Sequence, residues 1–149
     1  MNIDYIKVRD VKNPSYATIG SNGIDFYIPY DINPELLNFK HIHAKQLVIP
    51  SGLKIKLPKD HALLLLDKSG LAIKGLRVIA PLIDSDFQGE FKICLDVTHA
   101  KSNLVLEPGM KIIQGVILKM PQCQLNQVDE LNWEDSERKE GGFGHTGLY

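Results

Sequence analysis

The sequence has only two cysteines among its 149 residues. Cys94 and Cys123 stand in apolar surroundings without CxxC spacing, so we expect neither a disulfide framework nor a zinc site. Both are predicted to be buried or partly buried thiols. The histidines offer no better metal site, because only two are close together and no acidic or thiol ligand accompanies them. We interpret all five as solvated loop histidines: His41, His43, His61, His99 and His145.

The sequence also lacks an excess of basic residues, with 17 Lys and Arg against 18 Asp and Glu. Composition therefore gives no support for binding a long nucleic acid, although a local cluster of cations could still bind a small anion. Residues Met1 to Val11 mix charged with apolar side chains and contain no long hydrophobic run, unlike a secretory signal or a membrane span. We expect a soluble, cytoplasmic protein that binds neither nucleic acid nor a membrane.

The length of the chain and its apolar content of 44% suit one domain that spans residues 1–149. Short apolar runs separated by turn residues are typical of an all-β sandwich or barrel. Alternation is clear in Leu53–Leu57, where apolar and charged side chains take turns, as in a half-buried strand. The predicted strands are Leu47–Pro50, Gly52–Leu57, Ala62–Leu66, Leu76–Ile83, Phe91–Val97 and Ile112–Met120.

Two segments favour a single helical turn. Asn33 and Pro34 form a capping residue followed by a proline at a first helical position. Ser69–Lys74 follows an apolar strand, and a helix beginning there would offer free amides to a phosphate. From about residue 130 the chain turns acidic and then glycine-rich. A frayed terminus is the more common outcome for such a tail, although its glycines would also let amides approach a ligand closely.

Two early segments carry residues suited to an anionic ligand. Ser21–Phe26 places Asp25 in an apolar strand just after Gly23, although an Asx-type turn is the more common explanation for such an aspartate. Asp67–Ala72 combines a cation, a hydroxyl and a flexible amide, as phosphate binding requires. A polar strand end explains the second segment equally well.

Two later segments are also candidates. Pro81–Phe91 packs three carboxylates into seven residues between two strand patterns, which predicts a hairpin with an acidic tip. A carboxylate held there could act as a general base toward water, although solvated acidic turns are more common. Gln114 interrupts an apolar run and needs partners, which are either the backbone or a ligand's phosphate or metal-bound water.

Taken in order, five segments between Gly23 and Gly147 resemble the five motifs of the trimeric deoxyuridine triphosphatase (dUTPase) family. Each motif alone is weak, but the ordered set is specific. The resembling pairs are Asn22–Phe26 with AGYDL, Lys68–Ala72 with RSGLA, Ile83–Gly89 with IDSDYRG, Lys111–Gln114 with RIAQ, and Arg138–Gly147 with RGxGGFGSTG. Lys68 and Lys111 replace arginines, which makes each a point charge rather than a bidentate fork.

The resemblance implies a jelly-roll-like, all-β dUTPase β-clip fold. It implies a homotrimer whose active sites are shared between subunits, with residues of about 130–149 as a flexible glycine-rich arm that closes over the site. The implied reaction is Mg²⁺-assisted hydrolysis of dUTP to dUMP and pyrophosphate, which keeps uracil out of DNA and supplies dUMP for dTMP synthesis. Asp84 would be the catalytic base for in-line attack of water at the α-phosphorus.

The resemblance also implies further roles in the site. Asp25 and Gln114 would hold the water ligands of Mg²⁺, whose direct ligand is the triphosphate. Phe87 would pack under the deoxyribose, and Phe143 would cover the uracil. The substrate-binding residues carried over are Lys68, Ser69, Gly70, Val78, Leu82, Ile83, Phe87, Lys92, Gln114, Arg138, Phe143 and Gly144.

Two alternatives stay open at this point. A dCTP deaminase would share the fold, but its catalytic glutamate follows the hairpin glycine by five residues, where this sequence has Cys94, and it lacks the glycine-rich tail. A regulatory protein-binding module of the same fold is the second alternative. The insertion near Asn33 to His43 could serve such a contact.

Overall fold

The computed structural model describes residues 1–38 and 45–133, together with Ser136 and Lys139. These residues form ten short strands and three single helical turns. The strands are β1 (Asp4–Lys7), β2 (Ser15–Tyr16), β3 (Ile24–Tyr27), β4 (Gln46–Pro50), β5 (Leu53–Lys56), β6 (His61–Asp67), β7 (Arg77–Ile79), β8 (Leu82–Ile83), β9 (Lys92–Asp96) and β10 (Lys111–Lys119). The turns are the α-helical turn α1 (Ser69–Ala72) and the 3₁₀ turns Pro34–Leu37 and Glu130–Asn132.

The strands form three antiparallel sheets. The five-stranded sheet has the order β2-β3-β10-β6-β8, and the three-stranded sheet has the order β4-β9-β7. The remaining pair, β1 with β5, forms a small sheet of its own. In the five-stranded sheet, β10 is the central strand and pairs with β3 on one side and β6 on the other. The all-β, jelly-roll-like fold predicted from the sequence is confirmed.

One hydrophobic core joins the two larger sheets. Phe26 on β3 and Phe91 just before β9 meet edge to face, with ring centroids 5.4 Å apart. Their neighbours in the core come from both sheets, including Leu63, Ile93 and Ile113, each fully buried. Aromatic pairs of this geometry stabilise beyond the apolar area that they bury. The core therefore fixes the positions of the two sheets relative to each other. It also fixes the positions of the polar residues at the sheet edges.

Most of the predicted strands are confirmed, as is the half-buried strand, where Leu53 and Leu57 are buried and Lys54 and Lys56 are exposed. Both helical turns are confirmed as well. The Asn33 side chain accepts a hydrogen bond from the Glu35 amide, which is the expected cap.

The predicted strand Leu76–Ile83 is wrong in one respect, because it divides into β7 and β8. Ala80 adopts a positive φ of 52° between them, and Pro81 follows with no amide hydrogen for a ladder. The predicted hairpin at Pro81–Phe91 is also wrong. β8 pairs with β6 in one sheet, whereas β9 pairs with β4 and β7 in the other. The acidic segment is therefore a connection between the two sheets.

The cysteine and histidine predictions are partly confirmed. Cys94 is half-buried on β9, whereas Cys123 is exposed in the segment after β10, where the residues have no regular structure. His99 is exposed, but His61 begins β6 and is half-buried, so it is not a loop histidine. The other three histidines lie outside the described residues. Among the described residues, no helix has the length and apolar character that a membrane span needs.

Gly75 provides a test of this packing. It adopts a φ of 88°, and a Cβ at this position would collide with the carbonyl group of His99. The Lys101 amide donates to the Lys74 carbonyl at 2.8 Å, so the loop after β9 packs against the chain that follows α1.

We predict that Gly75→Ala lowers the free energy of unfolding by ~2 kcal/mol or more, because it adds backbone strain and a backbone collision. Gly20→Ala is the matched control, since a Cβ there meets nothing within 4 Å. Urea titration of both variants at one protein concentration measures the difference. Equal stabilities of the two variants would contradict the packing described for Gly75.

Candidate active site

Asp25 lies at the centre of a charged cluster at one end of the five-stranded sheet. Asp25 is buried, with only 2% of its surface exposed. The Lys68 Nζ lies 2.6 Å from Asp25 Oδ1, and the Lys111 Nζ lies 2.7 Å from Asp25 Oδ2. The two lysines come from the end of β6 and the start of β10. We call Asp25, Lys68, Lys111 and Gln114 the Asp25 cluster.

Strand pairing brings the cluster together. Asp25 is directly opposite Gln114 in the β3–β10 ladder, and Gln114 is opposite Leu66 in the β10–β6 ladder. Lys68 follows two residues after Leu66, so it reaches back over the end of the sheet to Asp25. The four residues are far apart in the sequence, and they meet because β3, β10 and β6 are neighbours in the sheet.

The two ammonium groups control the charge of Asp25. Burial raises the pKa of the Asp25 carboxyl, but the Lys111 and Lys68 contacts together outweigh burial, so the pKa lies below its ordinary value of 3.8. The pKa of Lys111 is raised in turn by its close contact with Asp25. Lys111 forms an ion pair with Oδ2, an oxygen that has almost no surface open to solvent.

Gln114 is held by the backbone. Its Nε2 donates to the Asp67 carbonyl oxygen at 2.9 Å. Its Oε1 lies against Gly23, where a Cβ would collide with it. Of the two alternatives considered for this glutamine, the backbone partner accounts for its amide nitrogen. Its oxygen remains an acceptor beside Asp25.

Asp67, Lys68 and Ser69 form a rigid strand end. The Asp67 side chain accepts hydrogen bonds from the Val78 amide at 2.6 Å and from Arg77 Nη1 at 3.0 Å. The Lys68 carbonyl oxygen accepts from two amides of α1, each at 2.8 Å. Ser69 and Gly70 are exposed on this turn. A cation, a hydroxyl and a glycine amide are therefore presented next to Asp25.

The second candidate region is the segment Asp84–Gly89, which we call the Asp84 loop. Asp84 is exposed, and its carbonyl oxygen accepts a hydrogen bond from the Phe87 amide at 3.2 Å. Phe87 is 46% exposed, and its ring passes so close to Gly89 that a Cβ there would lie 2.7 Å from it. The loop thus presents a carboxylate and an aromatic ring to the outside of the subunit.

Within one chain the Asp25 cluster and Asp84 are far apart. Ile83 is opposite Leu63 on β6, so Asp84 continues toward the level of Ala62. Gln114 is level with Leu66. Four residues separate these levels, and at a rise of roughly 3.3 Å per residue they are about 13 Å apart along the strand. The two candidate regions therefore stand at different levels of the sheet, separated by about the length of an extended nucleoside triphosphate.

The other predicted substrate-binding residues lie in several places. Leu82 and Ile83 are on β8, next to the Asp84 loop, whereas Val78 is half-buried on β7 in the other sheet. The Lys92 Nζ contacts Glu90 Oε2 at 3.0 Å. Arg138, Phe143 and Gly144 lie outside the described residues.

The sequence did not reveal the partners of Glu90. Glu90 was noted only as one of three acidic residues, but it accepts hydrogen bonds from Arg9 Nε and from the Gly52 amide. Arg9 is 81 positions away in the chain. No local pattern links residues at such a separation, so only the three-dimensional structure identifies this pair.

The cluster suits a metal ion only through water. Among the described residues there is no group of three or more His, Cys, Asp or Glu that could hold a metal directly. Two ammonium groups within 2.7 Å of Asp25 oppose direct contact with a divalent cation. Octahedral Mg²⁺ usually retains several waters, and carboxylate and amide oxygens such as those of Asp25 and Gln114 are suitable acceptors for them, although Asp25 Oδ2 has almost no surface open to solvent in this structure.

Comparison with known proteins identifies similar chains. The dUTPase family model matches residues 9–147. A deoxyuridine 5'-triphosphate nucleotidohydrolase from Dictyoglomus turgidum is 38% identical over 143 residues, which cover 94% of this chain and 93% of the relative. The dUTPase of Staphylococcus bacteriophage 80alpha with dUpNHpp aligns with a TM-score of 0.78 at 20% identity, covering 99% of both chains. A mutant dUTPase from phage phi11 of S. aureus, described with a structural Mg(II) ion, aligns with a TM-score of 0.70 at 17% identity, covering 89% of this chain and 100% of its own.

The Asp25 cluster generates a prediction about pH. Because the pKa of Asp25 is lowered in the folded state, its ionised form stabilises the fold at neutral pH. That contribution is lost as pH falls from 3.8 toward the lower folded pKa. We expect Asp25→Asn to lower the free energy of unfolding by ~2 kcal/mol at pH 7, since two partly exposed ammonium groups lose their partner. The variant should also lose the acid-dependent part of the stability curve.

Denaturant titrations between pH 7 and pH 3 measure both effects. Asp31→Asn is the control, because Asp31 forms an exposed ion pair with Arg9 and should have little effect on stability. An Asp25→Asn variant with the same pH dependence as the parent would contradict the assigned role of Asp25.

Proposed function

Because this chain belongs to the dUTPase family and is a dUTP nucleotidohydrolase, we propose that it cleaves dUTP to dUMP and pyrophosphate at active sites shared between its subunits. The observation that carries the proposal is the separation of the Asp25 cluster from Asp84 by about 13 Å along β6. Each region has the chemistry for one half of the reaction. The proposed site takes the two regions from different copies of the chain, and a homotrimer supplies such copies.

The Asp25 cluster forms the phosphate side of the proposed site. Two ammonium groups and one carboxylate give it a net positive charge, which attracts a triphosphate. Asp25 holds the ammonium groups in place before substrate arrives, so little ordering is needed on binding. The exposed Ser69 hydroxyl and the Gly70 amide lie beside Lys68 and complete the set of donors.

Magnesium binds on this side in the proposal. When bound to the triphosphate, Mg²⁺ offsets its negative charge and orients the phosphate chain. Asp25 and Gln114 accept hydrogen bonds from the water ligands of the ion. The support is that Asp25 and Gln114 are directly opposite each other on β3 and β10, together with the structural Mg(II) ion described for the phi11 protein.

The Asp84 loop forms the base-recognition and catalytic side. β8 is the outer strand of its sheet, so the edge facing away from β6 leaves backbone groups of Leu82 and Ile83 free to hydrogen-bond a uracil. Phe87 packs under the deoxyribose, and Lys92 contributes next to the base. The analogue dUpNHpp bound to the 80alpha enzyme supports a deoxyuridine triphosphate as the substrate class.

Asp84 is the proposed general base. Its exposed carboxylate accepts a proton from a water molecule as that water attacks the α-phosphorus. A new P–O bond forms to the water oxygen, and the bond between the α-phosphorus and the bridging oxygen breaks. The electron pair leaves with pyrophosphate, and dUMP remains.

The remaining substrate contacts in the proposed site come from the arm and from Val78. Arg138 and Gly144 contact the phosphates, and Phe143 covers the uracil when residues of about 130–149 close over the site. A cytoplasmic enzyme of this kind removes dUTP before uracil enters DNA and supplies dUMP for dTMP synthesis. Val78 completes the substrate-binding set, near the base.

No observation favours a dCTP deaminase or a regulatory protein-binding module over the proposed function. Cys94 stands where a deaminase would need its glutamate, and it is half-buried in the middle strand of the three-stranded sheet. The part of the insertion at residues 39–44 lies outside the described residues, so a role in binding a regulatory protein stays a prediction.

The proposal predicts the following substrate preference. With magnesium present, the protein should release pyrophosphate and dUMP from dUTP, and much less product from dCTP, dTTP or UTP. Asp84→Asn should lower kcat by about 10²- to 10⁴-fold, because an amide cannot accept the proton from water. Chromatographic separation of the nucleotides together with a pyrophosphate assay measures both.

Asp86→Asn is the matched control, because Asp86 is an exposed carboxylate on the same loop and should keep nearly full activity. Addition of a chelator should abolish turnover and an excess of magnesium should restore it. Deamination of dCTP, or equal activity of the Asp84 and Asp86 variants, would contradict the proposed function.

A further inference from the structure

Glu90 comes directly after the Asp84 loop, and its side chain is only 16% exposed. Its Oε1 accepts hydrogen bonds from Arg9 Nε and from the Gly52 amide, each at 2.9 Å. Its Oε2 accepts from Lys92 Nζ at 3.0 Å. One carboxylate thus joins the N-terminal segment, the turn between β4 and β5, and the first residue of β9.

The partners of Glu90 are themselves fixed. Gly52 adopts a φ of 75° and lies so close to Val11 that a Cβ would be 2.9 Å from its side chain. The Gly52 carbonyl oxygen accepts from the Val8 amide at 2.8 Å, and Arg9 Nη1 contacts Asp31 at 3.2 Å. Glu90 is therefore tied to a rigid part of the subunit.

The electrostatics agree with an ionised, strongly held carboxylate. Burial raises the pKa of Glu90, but the hydrogen bonds from Lys92, Gly52 and Arg9 together outweigh burial and hold the pKa below its ordinary value. Hydrogen bonds to a charged acceptor are stronger than those between neutral groups. Glu90 consequently makes a firm attachment at the end of an otherwise exposed loop.

The loop has few other attachments. At its start, Ile83 is held by the β8–β6 ladder. Within it, the Phe87 amide donates to the Asp84 carbonyl oxygen, and the Phe87 ring lies against Gly89. Asp84, Asp86 and Phe87 are exposed. At its end, the buried Phe91 anchors the chain in the core, and its carbonyl oxygen accepts from the Ser51 amide at 3.1 Å. Glu90 is the attachment that lies between this anchor and the loop, so it is placed to set the loop's position relative to the subunit.

We propose that Glu90 is a positioning residue that sets where Phe87 stands against the sugar, and thereby determines how strongly the enzyme prefers dUTP to UTP. The inference rests on the proposed function of the Asp84 loop. A ring held firmly against C2′ of the sugar leaves no room for a 2′-hydroxyl. A loop released at Glu90 can move aside and admit it.

The test measures kcat/KM of the Glu90→Gln variant for dUTP and for UTP. Glutamine can still accept from the Gly52 amide through its oxygen, but the ion pairs with Arg9 and Lys92 are lost. We expect the ratio of kcat/KM for dUTP to kcat/KM for UTP to fall about tenfold, chiefly through a rise in kcat/KM for UTP, because a loop that moves aside admits the 2′-hydroxyl. This ratio is independent of the fraction of folded enzyme, so a loss of stability alone cannot change it.

A second variant and a control complete the experiment. Arg9→Met removes one of the three donors and should lower the ratio by a smaller factor, and combining it with Glu90→Gln should add little, because both act through one contact. Lys7→Met is the control, since it removes a hydrogen bond to the Val11 carbonyl oxygen in the same N-terminal segment without touching Glu90. Its ratio should equal that of the parent.

An unchanged dUTP-to-UTP ratio in both Glu90→Gln and Arg9→Met, with an active parent enzyme, would overturn this inference and leave the proposed function standing. A parent enzyme that does not cleave dUTP would overturn both. If Glu90→Gln does not fold, the Arg9→Met ratio alone decides.

Discussion

The phosphate side of this protein depends on one buried carboxylate held between two ammonium groups. A charge removed from water is costly unless it is paired, and Asp25 is paired on both oxygens by Lys68 and Lys111 at 2.6 and 2.7 Å. These lysines come from the ends of two different strands, so the ion pairs hold β3, β6 and β10 in their positions. The same contacts fix two cations at the sheet end before any ligand binds. In the proposed function, stability and phosphate binding thus rest on the same three side chains.

The second constraint is geometric. The ladder between β6 and its neighbours places the cations and the proposed base at levels about 13 Å apart along the strand. Neither region is a complete site for breaking a phosphoanhydride bond, because one lacks a base and the other lacks cations. Their separation supports the proposal that the active site is shared between copies of the chain. In that proposal the Glu90 contacts hold the Asp84 loop firmly on its own subunit while the loop serves the shared site.

Much of the fold could be predicted from the sequence, because local patterns carry it. The alternation of Leu53–Leu57 and the cap at Asn33 are local, and both are confirmed. The predicted hairpin at Pro81–Phe91 is wrong because strand pairing is decided by distant partners: β8 pairs with β6, and β9 pairs with β4 and β7. The buried position predicted for Cys123 is wrong, because its immediate neighbours are the polar Gln122 and Gln124 and no strand carries it into the core. For the site, resemblance to the five motifs predicted Asp25, Lys68, Asp84 and Gln114. The separation of Asp84 from the other three residues within one chain could be recognised only from the sheet register. The Arg9–Glu90 pair had no signal in the sequence.

The central claim is that one active site takes its cations and its base from different subunits. It is tested most directly with two variants that the proposed function expects to be inactive, Asp84→Asn and Lys68→Met, which are unfolded and refolded together in equal amounts. If sites are shared, random assortment restores about a quarter of the parental activity, because half of the subunits supply an intact Asp84 and half of their neighbours an intact Lys68. A mixture no more active than the two variants measured separately would contradict the claim and would require both halves to act within one chain.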